Sequence, residues 1–403
     1  MLTNADFRRF WAARVVSLAG SALTYVALPV AVYELSRSPL LTALVAASEA
    51  LPYVLFGLVA GALGDRLDRK RLMVATDVLS AAVLLSVPVA AWLDLLTVGH
   101  VLLAAFLAAT AFVFFDAGAF GAVPALVGRD RIPAANRAIW GAGTVVETAA
   151  PAAAGAALTV LAATDLLAVD ALTFLGSALL IAAIGRPLSA PRTPPAGPPR
   201  ADVLLGEVRA GLRFLWQQPA VRVMTLVGAA QALAGGAFVG QFVVWADREL
   251  GVRAGDVRLG VLFAAWGVGS LLGTAAMPGL VVRLGAPRVT LVALPVSAVL
   301  AVATALAPGW PVALVLVGAW GAAYMLVVVN AITYRQQVTP EPLMSRVNTA
   351  GRMLSFGLGW PTGAVLGGVV SSLAGPAAGM LAGAAVLAAA AAYAWRSPLR
   401  RLS

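Results

Sequence analysis

The sequence predicts an all-α integral membrane protein with twelve transmembrane helices, arranged as two pseudo-symmetric six-helix bundles. Composition, run length and charge placement lead to that fold class. The 403-residue chain is 61% hydrophobic and 11% charged, with a mean hydropathy of +0.91. That is too apolar for one soluble packed domain. The apolar residues gather into runs of about 20, the length that spans the hydrocarbon core. All but four of the 28 Lys and Arg fall in alternate loops and tails, the exceptions being Arg37, Arg248, Arg253 and Arg258. Cytoplasmic loops hold such an excess, so both termini are expected inside.

The runs fall at roughly 12–34, 41–63, 72–93, 100–126, 136–160 and 165–185, then 222–246, 258–281, 289–307, 311–333, 347–371 and 375–395. The first follows MLTNADFRRF, which lacks a short apolar core with a cleavage site, so a retained helix is expected and not a signal peptide. Glu34 closes the first run, Asp65 the second and Asp94 the third. The fourth opens near His100, placed as an interfacial loop residue. The fifth bends at Pro151, and the sixth carries Asp170 close enough to the outer surface to be solvated. Asp247 ends the seventh, RLGAPR follows the eighth, and the eleventh bends at Pro361.

The predicted domains are 1–185 and 222–403, joined by a cytoplasmic linker at 186–221. The linker begins RPLSAPRTPPAGPPR, proline-rich and extended. It continues ADVLLGEVRAGLRFLWQQ, with Val203, Leu204, Val208, Leu212 and Leu215 on one helical face and Glu207, Arg209 and Arg213 elsewhere. Such a helix is expected to lie along the inner membrane surface. The halves look like copies. RLDRKR at 66–71 matches RLGAPR at 283–288, 127–137 matches 338–348 loosely, and Pro151 matches Pro361. Parallel repeats of this kind place a substrate site near the midplane between the halves.

Several function classes are excluded or disfavoured. With no cysteine and one histidine, thiolate and histidine-cluster metal sites cannot be built, and an enzyme has few nucleophiles or bases available. The basic residues are split among short loops, without the aromatic-studded stripe that follows a nucleic acid. No GxxxxGK[ST] loop occurs, so no cofactor is expected and energy would come from an ion gradient or from the cargo's own. Lys70 is the one lysine beside many arginines, a composition that fits a GC-rich bacterial genome and hence a bacterial inner membrane. A monomer in the bilayer is expected, with a small-molecule substrate and protons as partners.

An ionisable residue at the bilayer centre costs about 2.5–3.5 kcal/mol on insertion scales and is retained mainly for function. Glu49, Asp116 and Glu147 fall well inside predicted spans and are the candidates for proton coupling. Asp77 is read as a member of a gate network near the cytoplasm. Interior polarity in the second half comes from Gln231, Gln241, Asn330 and Tyr334, with Trp320 and Tyr324 nearby; Tyr25 adds an aromatic hydroxyl from the first half. These residues suit an amphipathic cargo held by stacking and a few hydrogen bonds. Anionic cargo fits poorly, since no mid-membrane arginine is available to pair with it.

The motif GALGDRLDRKR, Gly61 to Arg71, carries the most information. Gly57, Gly61 and Gly64 keep one helix face slim, Asp65 can face a helix N-terminus, and Arg69, one turn on, can pair with Asp65. With Arg66, Lys70 and Arg71 the result is a charged latch. This motif resembles the signature of the major facilitator superfamily. Asp68 stands where glycine is usual, which resembles the bacterial exporters that include enterobactin and macrolide efflux proteins. NADFRRFWAARVVSLAGSALTYVALPVAVYELSRSP and TPEPLMSRVN are similar to the same subset, so the resemblance covers essentially the full chain. It implies that Asp65 and Arg69 stabilise an outward-facing state. Where a carboxylate often completes the relay at the inner end of helix four, this chain has Ala125, with Asp116 or Asp130 as stand-ins.

GTVVETAAPAAAGAAL in helix five resembles the superfamily's antiporter motif, with Ala150 in place of the first glycine beside Pro151 and with Gly155 retained. A proline removes one backbone bond and bends the helix. The resemblance implies a secondary active transporter, not an enzyme, that exports a drug or natural product by proton-coupled alternating access. A dedicated siderophore or natural-product exporter and a transport-inactive membrane sensor or scaffold remain the alternatives. The topology is testable because the chain has no native thiol: cysteines introduced at Asp68 and Arg192 should resist an impermeant maleimide in intact cells and react in everted vesicles. Reaction from outside would overturn the topology.

Overall fold

The computed structural model describes residues 4–128, 131–189, 206, 209, 213–253, 256–339, 347 and 350–401. They form α1 (Ala5–Ser36), α2 (Pro39–Arg66), α3 (Arg69–Trp92), α4 (Val98–Val127), α5 (Ile132–Ala157) and α6 (Ala163–Ala182). After the linker come α7 (Pro219–Leu250), α8 (Val257–Leu284), α9 (Ala286–Ala305) and α10 (Trp310–Val338). A π-helical turn (Met353–Gly359) then runs into α11 (Trp360–Ala374), followed by α12 (Pro376–Arg396). Among the described residues, 11 helical stretches are long and apolar enough to cross a membrane. α5, with 26 residues, is the further long helix.

Local chemistry sets the helix ends. Asn4 Oδ1 accepts from the Asp6 and Phe7 N–H groups, so α1 starts seven residues earlier than its apolar run and buries Phe7 and Phe10. Asp68 caps α3 by accepting from Arg71 N, and Thr97 caps α4 by accepting from His100 N. His100 therefore lies in a helical turn, with Nε2 2.8 Å from Ser86 Oγ. Gly285, at φ 80°, turns α8 directly into α9. A residue with a Cβ adopts that conformation only under strain. The π turn has a cause in sequence: Pro361 has no N–H to donate and its ring crowds the carbonyl four residues back. The ladder widens just ahead of it, with Trp360 N–H donating to Ser355 O.

The chain divides into two compact units, one of Met1–Leu35 with Leu51–Pro199 and one of Ser36–Ala50 with Arg200–Ser403. The sequence places α2 wholly in the first half. In the structure its opening turns pack with the second unit, because Gly240 of α7 and Gly368 of α11 leave room for Ala43. Gln241 Nε2 donates to Pro39 O at 3.3 Å, and Arg37 lies 3.8 Å from Asp247.

In the first unit Phe7, Phe10 and Ala13 of α1 pack with Met73 of α3, Phe115 and Leu126 of α4, and Ile181 and Ile184 at the end of α6. In the second, Leu215 at the close of the amphipathic segment is buried with Val221, Val347 and Ala350. Residues 201–205, 207–208 and 210–212 of that segment lie outside the described residues.

Helix contacts in the second unit run through missing side chains. Gly269 and Gly273 of α8 rest on the Gly318 and Ala322 carbonyls of α10, and Gly236 of α7 rests on the Trp360 carbonyl. A β-carbon at any of these three positions would collide with backbone, which cannot swing away as a side chain can. Gly279, on the same helix as Gly269, has nothing within 4 Å of where a Cβ would stand. Gly269→Val should therefore cost about 1–3 kcal/mol through overpacking, read as a lower thermal midpoint in detergent, while Gly279→Ala stays near wild type. Equal midpoints for the two variants would show that the α8–α10 contact is not tight.

Candidate functional site

The basic run after α2 is tied down within the first unit. Arg69 Nη1 donates to Gly121 O of α4 at 2.6 Å and to Leu188 O at 3.4 Å, and its backbone N–H donates to Ser189 Oγ at 3.0 Å. The guanidinium occupies the space a side chain at 121 would fill. Lys70 Nζ donates to Ile184 O at 2.8 Å, and Arg71 is exposed. Gly61, Gly64, Asp65 and Arg66 close α2, and the surroundings of these four residues lie outside what the structure describes. The same end of the unit is held by Asp6, which accepts from Gly185 N at 3.0 Å and pairs with Arg9 at 3.1 Å.

A second charged group lies deeper in this unit. Arg14 of α1 pairs with Asp116 of α4 at 3.3 Å and stacks over Phe115, 5.3 Å from the ring centroid. Asp77 of α3 is 1% exposed and Asp170 of α6 is 0% exposed. Asp170 corrects the expectation of a solvated acid. It accepts from the Thr24 hydroxyl of α1 and from Thr173 Oγ1 at 2.9 Å, and it fits against Gly20, where any side chain would displace it. A signal was available: Asp170, Thr173 and Ser177 fall at i, i+3 and i+7, a polar stripe on an apolar helix.

Glu49 is partly exposed, on the α2 turns that belong to the second unit. The side chains of Glu147 and Pro151 lie outside the described residues, whereas Gly155 of α5 is buried and Pro361 follows the π turn.

The second unit holds a neutral polar network. Ser297 Oγ of α9 accepts from Gln231 Nε2 of α7 at 2.8 Å and from Trp320 Nε1 of α10 at 3.0 Å, joining three helices at one atom. Asn330 Nδ2 donates to Ala286 O at 2.7 Å and to Thr290 Oγ1 at 2.8 Å. Gln231, Gln241, Trp320, Tyr324 and Asn330 are all buried. Around them Phe238 meets Trp320 edge to face at 4.5 Å, and Trp266 meets Tyr324 at 5.2 Å. Tyr334, partly exposed, packs on the Leu215 cluster, and Tyr25 in the first unit is also partly exposed. Between α7, α10 and the π turn a cavity of about 20 Å³, bordered by Gly228, Ala331, Arg335 and Ser355, has room for one water.

Outside the spans, Asp256 caps α8 and accepts from Arg258 Nε at 2.7 Å; that hydrogen bond holds its carboxyl below the ordinary range. Among the described residues no group of three or more His, Asp or Glu could hold a metal ion.

Residues 1–403, the whole chain, match the family described as transmembrane secretion effectors, within the major facilitator superfamily. The chain belongs to that family. It is a multi-pass membrane protein of a transporter family and not an enzyme. It is similar to the multidrug efflux pump Tap of Mycolicibacterium fortuitum, at 28% identity over 377 residues, covering 90% of this chain and 88% of Tap. It is also similar to macrolide efflux protein A of Streptococcus pyogenes, at 24% identity over 222 residues, covering 55% of this chain and 54% of that one. Among solved structures, the nucleoside transporter NupG superposes with a TM-score of 0.77 at 14% identity, covering 96% of this chain and 98% of that chain. At that identity the match establishes the shared fold alone.

Within this transporter fold, Ser297 is a residue that sequence reasoning missed, since its two donors come from helices far apart in the chain. Ser297→Ala would leave two buried donors without an acceptor, a loss of about 1–3 kcal/mol. The expected outcome is a lower thermal midpoint with altered tryptophan fluorescence. An unchanged midpoint would mean that neither donor depends on this hydroxyl.

Proposed function

We propose that this transporter exports an amphipathic small molecule, a drug or natural product, across the bacterial inner membrane by alternating access, in exchange for protons. The observation that carries the proposal is the similarity, over nine-tenths of the chain, to a protein named a multidrug efflux pump. The chemistry supports it. Aromatic rings and neutral amides dominate the interior of the second unit, which suits an uncharged or weakly cationic, partly apolar cargo better than a phosphate or dicarboxylate. Without a nucleotide-binding loop, uphill export draws on an ion gradient. In this reading Glu49, Asp116 and Glu147 are the proton-coupling candidates. Asp116 already has an exchangeable partner in Arg14. Asp65 and Arg69 act as the cytoplasmic latch, and the basic loops and both termini face the cytoplasm.

Everted membrane vesicles test the proposal. Acidifying their lumen should drive accumulation of a fluorescent amphipathic dye, and a protonophore should abolish it. Glu49→Gln and Asp116→Asn should each lower the accumulated level, by about tenfold where the residue carries the proton. Accumulation that survives the protonophore would remove proton coupling, and no transport across a panel of amphipathic compounds would remove export.

A further inference from the structure

The charges inside the first unit do not balance. Asp77 and Asp170 are buried, and the charges that bear on Asp77 are Arg14 from α1 and Asp170 from α6. Arg14 is already shared with Asp116 of α4, at 3.3 Å. One guanidinium therefore bears on two carboxyl groups, Asp116 and Asp77, while Asp170 adds a third negative charge beside Asp77. Both Asp170 oxygens are met by neutral hydroxyls, Thr24 on Oδ2 and Thr173 on Oδ1. Hydroxyls satisfy an acceptor without cancelling its charge, and an uncompensated carboxylate in a membrane interior is costly.

A second observation concerns atoms and not charge. Asp77 Oδ2 is fully buried and accepts no hydrogen bond. Ser177 stands beside it on α6, 0% exposed, and its Oγ also completes none. The Ser177 hydroxyl can turn to donate to the Asp77 carboxylate or to accept from the protonated acid, so it answers either state. The smallest ligand that lowers this excess of negative charge is a proton. On Asp77 Oδ2 it forms one O–H bond, removes one negative charge and supplies the donor that Ser177 Oγ can accept. On release it goes to water, and no other covalent bond changes.

We infer that Asp77 and Asp170, with Ser177, Thr24 and Thr173, form an exchangeable proton site within the first unit, read by the Arg14–Asp116 ion pair. The site deepens the proton-coupled reading above and rests on it for its role in transport. Its working follows from the geometry. With the proton bound, Arg14 has one charged partner, Asp116. With the proton gone, Asp77 competes for the same guanidinium, so occupancy biases the position of α1 against α3 and α4. A carboxylate that exchanges partners in this way changes the packing of three helices for one proton moved.

Two measurements test the site. In the purified protein in lipid nanodiscs, infrared difference spectra across a pH titration should show a protonated-carboxyl stretch that weakens in Asp77→Asn and Asp170→Asn. Thr24→Val, which removes a donor and no charge, should displace the pH midpoint of that band. In vesicles, the ratio of proton-driven accumulation to energy-independent exchange of labelled cargo should fall by about tenfold in Asp77→Asn and Asp170→Asn. If Asp77→Asn fails to fold, Asp77→Glu replaces it and should move the midpoint while keeping the band.

A carboxyl band identical in wild type and both amide variants overturns the site, as does a wild-type ratio in both. A band that titrates with sodium at fixed pH overturns it in favour of a metal cation. Should the wild type transport nothing on a proton gradient, the functional reading fails, while the infrared titration still decides whether the proton site exists.

Discussion

Inside a bilayer no water is available to a carbonyl, an amide or a hydroxyl, so every polar group that enters must be answered by another part of the chain. Helices answer their own backbones. Side chains with polar ends need a neighbour brought close, and the chain achieves this by deleting side chains at the contacts. Gly269 on the Gly318 carbonyl and Gly236 on the Trp360 carbonyl bring α8 close to α10 and α7 close to Trp360 at the start of α11. On α9, Ser297 accepts from both Gln231 and Trp320, and Thr290 and the Ala286 carbonyl accept from Asn330. Arg69 depends on the same device, since its guanidinium lies where Gly121 has no side chain.

The two units meet this constraint with different chemistry. The second sets neutral donors and acceptors among aromatic rings and also holds the buried Arg335 and, on its α2 turns, Glu49. The first places Arg14, Asp77, Asp116 and Asp170 among its helices, joined by the Arg14–Asp116 ion pair. The division also explains why a duplicated fold can carry unequal sequences. Pseudo-symmetry fixes helix placement, and each half remains free to choose which helix faces carry charge.

Much of the architecture was legible because its signals are local. Apolar runs of about 20 residues, basic loops and prolines are all readable one segment at a time. What escaped depends on partners distant in sequence. The start of α1 at Ala5 rests on Asn4 capping Asp6 and Phe7, and on Phe7 and Phe10 finding a core made by α3, α4 and α6. Asp170 read as an outer-surface acid from its position along the run; its burial depends on Thr24 and Gly20, some 150 residues earlier. The π turn at 353–359 was half visible: Pro361 marked a bend, but a sequence does not say whether a helix answers a missing donor by kinking or by widening its ladder.

The assignment of α2 shows how local and distant signals meet in one helix. Its apolar run is continuous, so periodicity alone reads it as one rod in one bundle. Yet its packing changes allegiance at Leu51, from the second unit to the first, one residue before Pro52. Pro52 has no N–H for the Ser48 carbonyl, so the helix lacks a backbone bond across the turn where its neighbours change. Glu49 lies in that turn. On one side of the break Ala43 packs against Gly240 and Gly368.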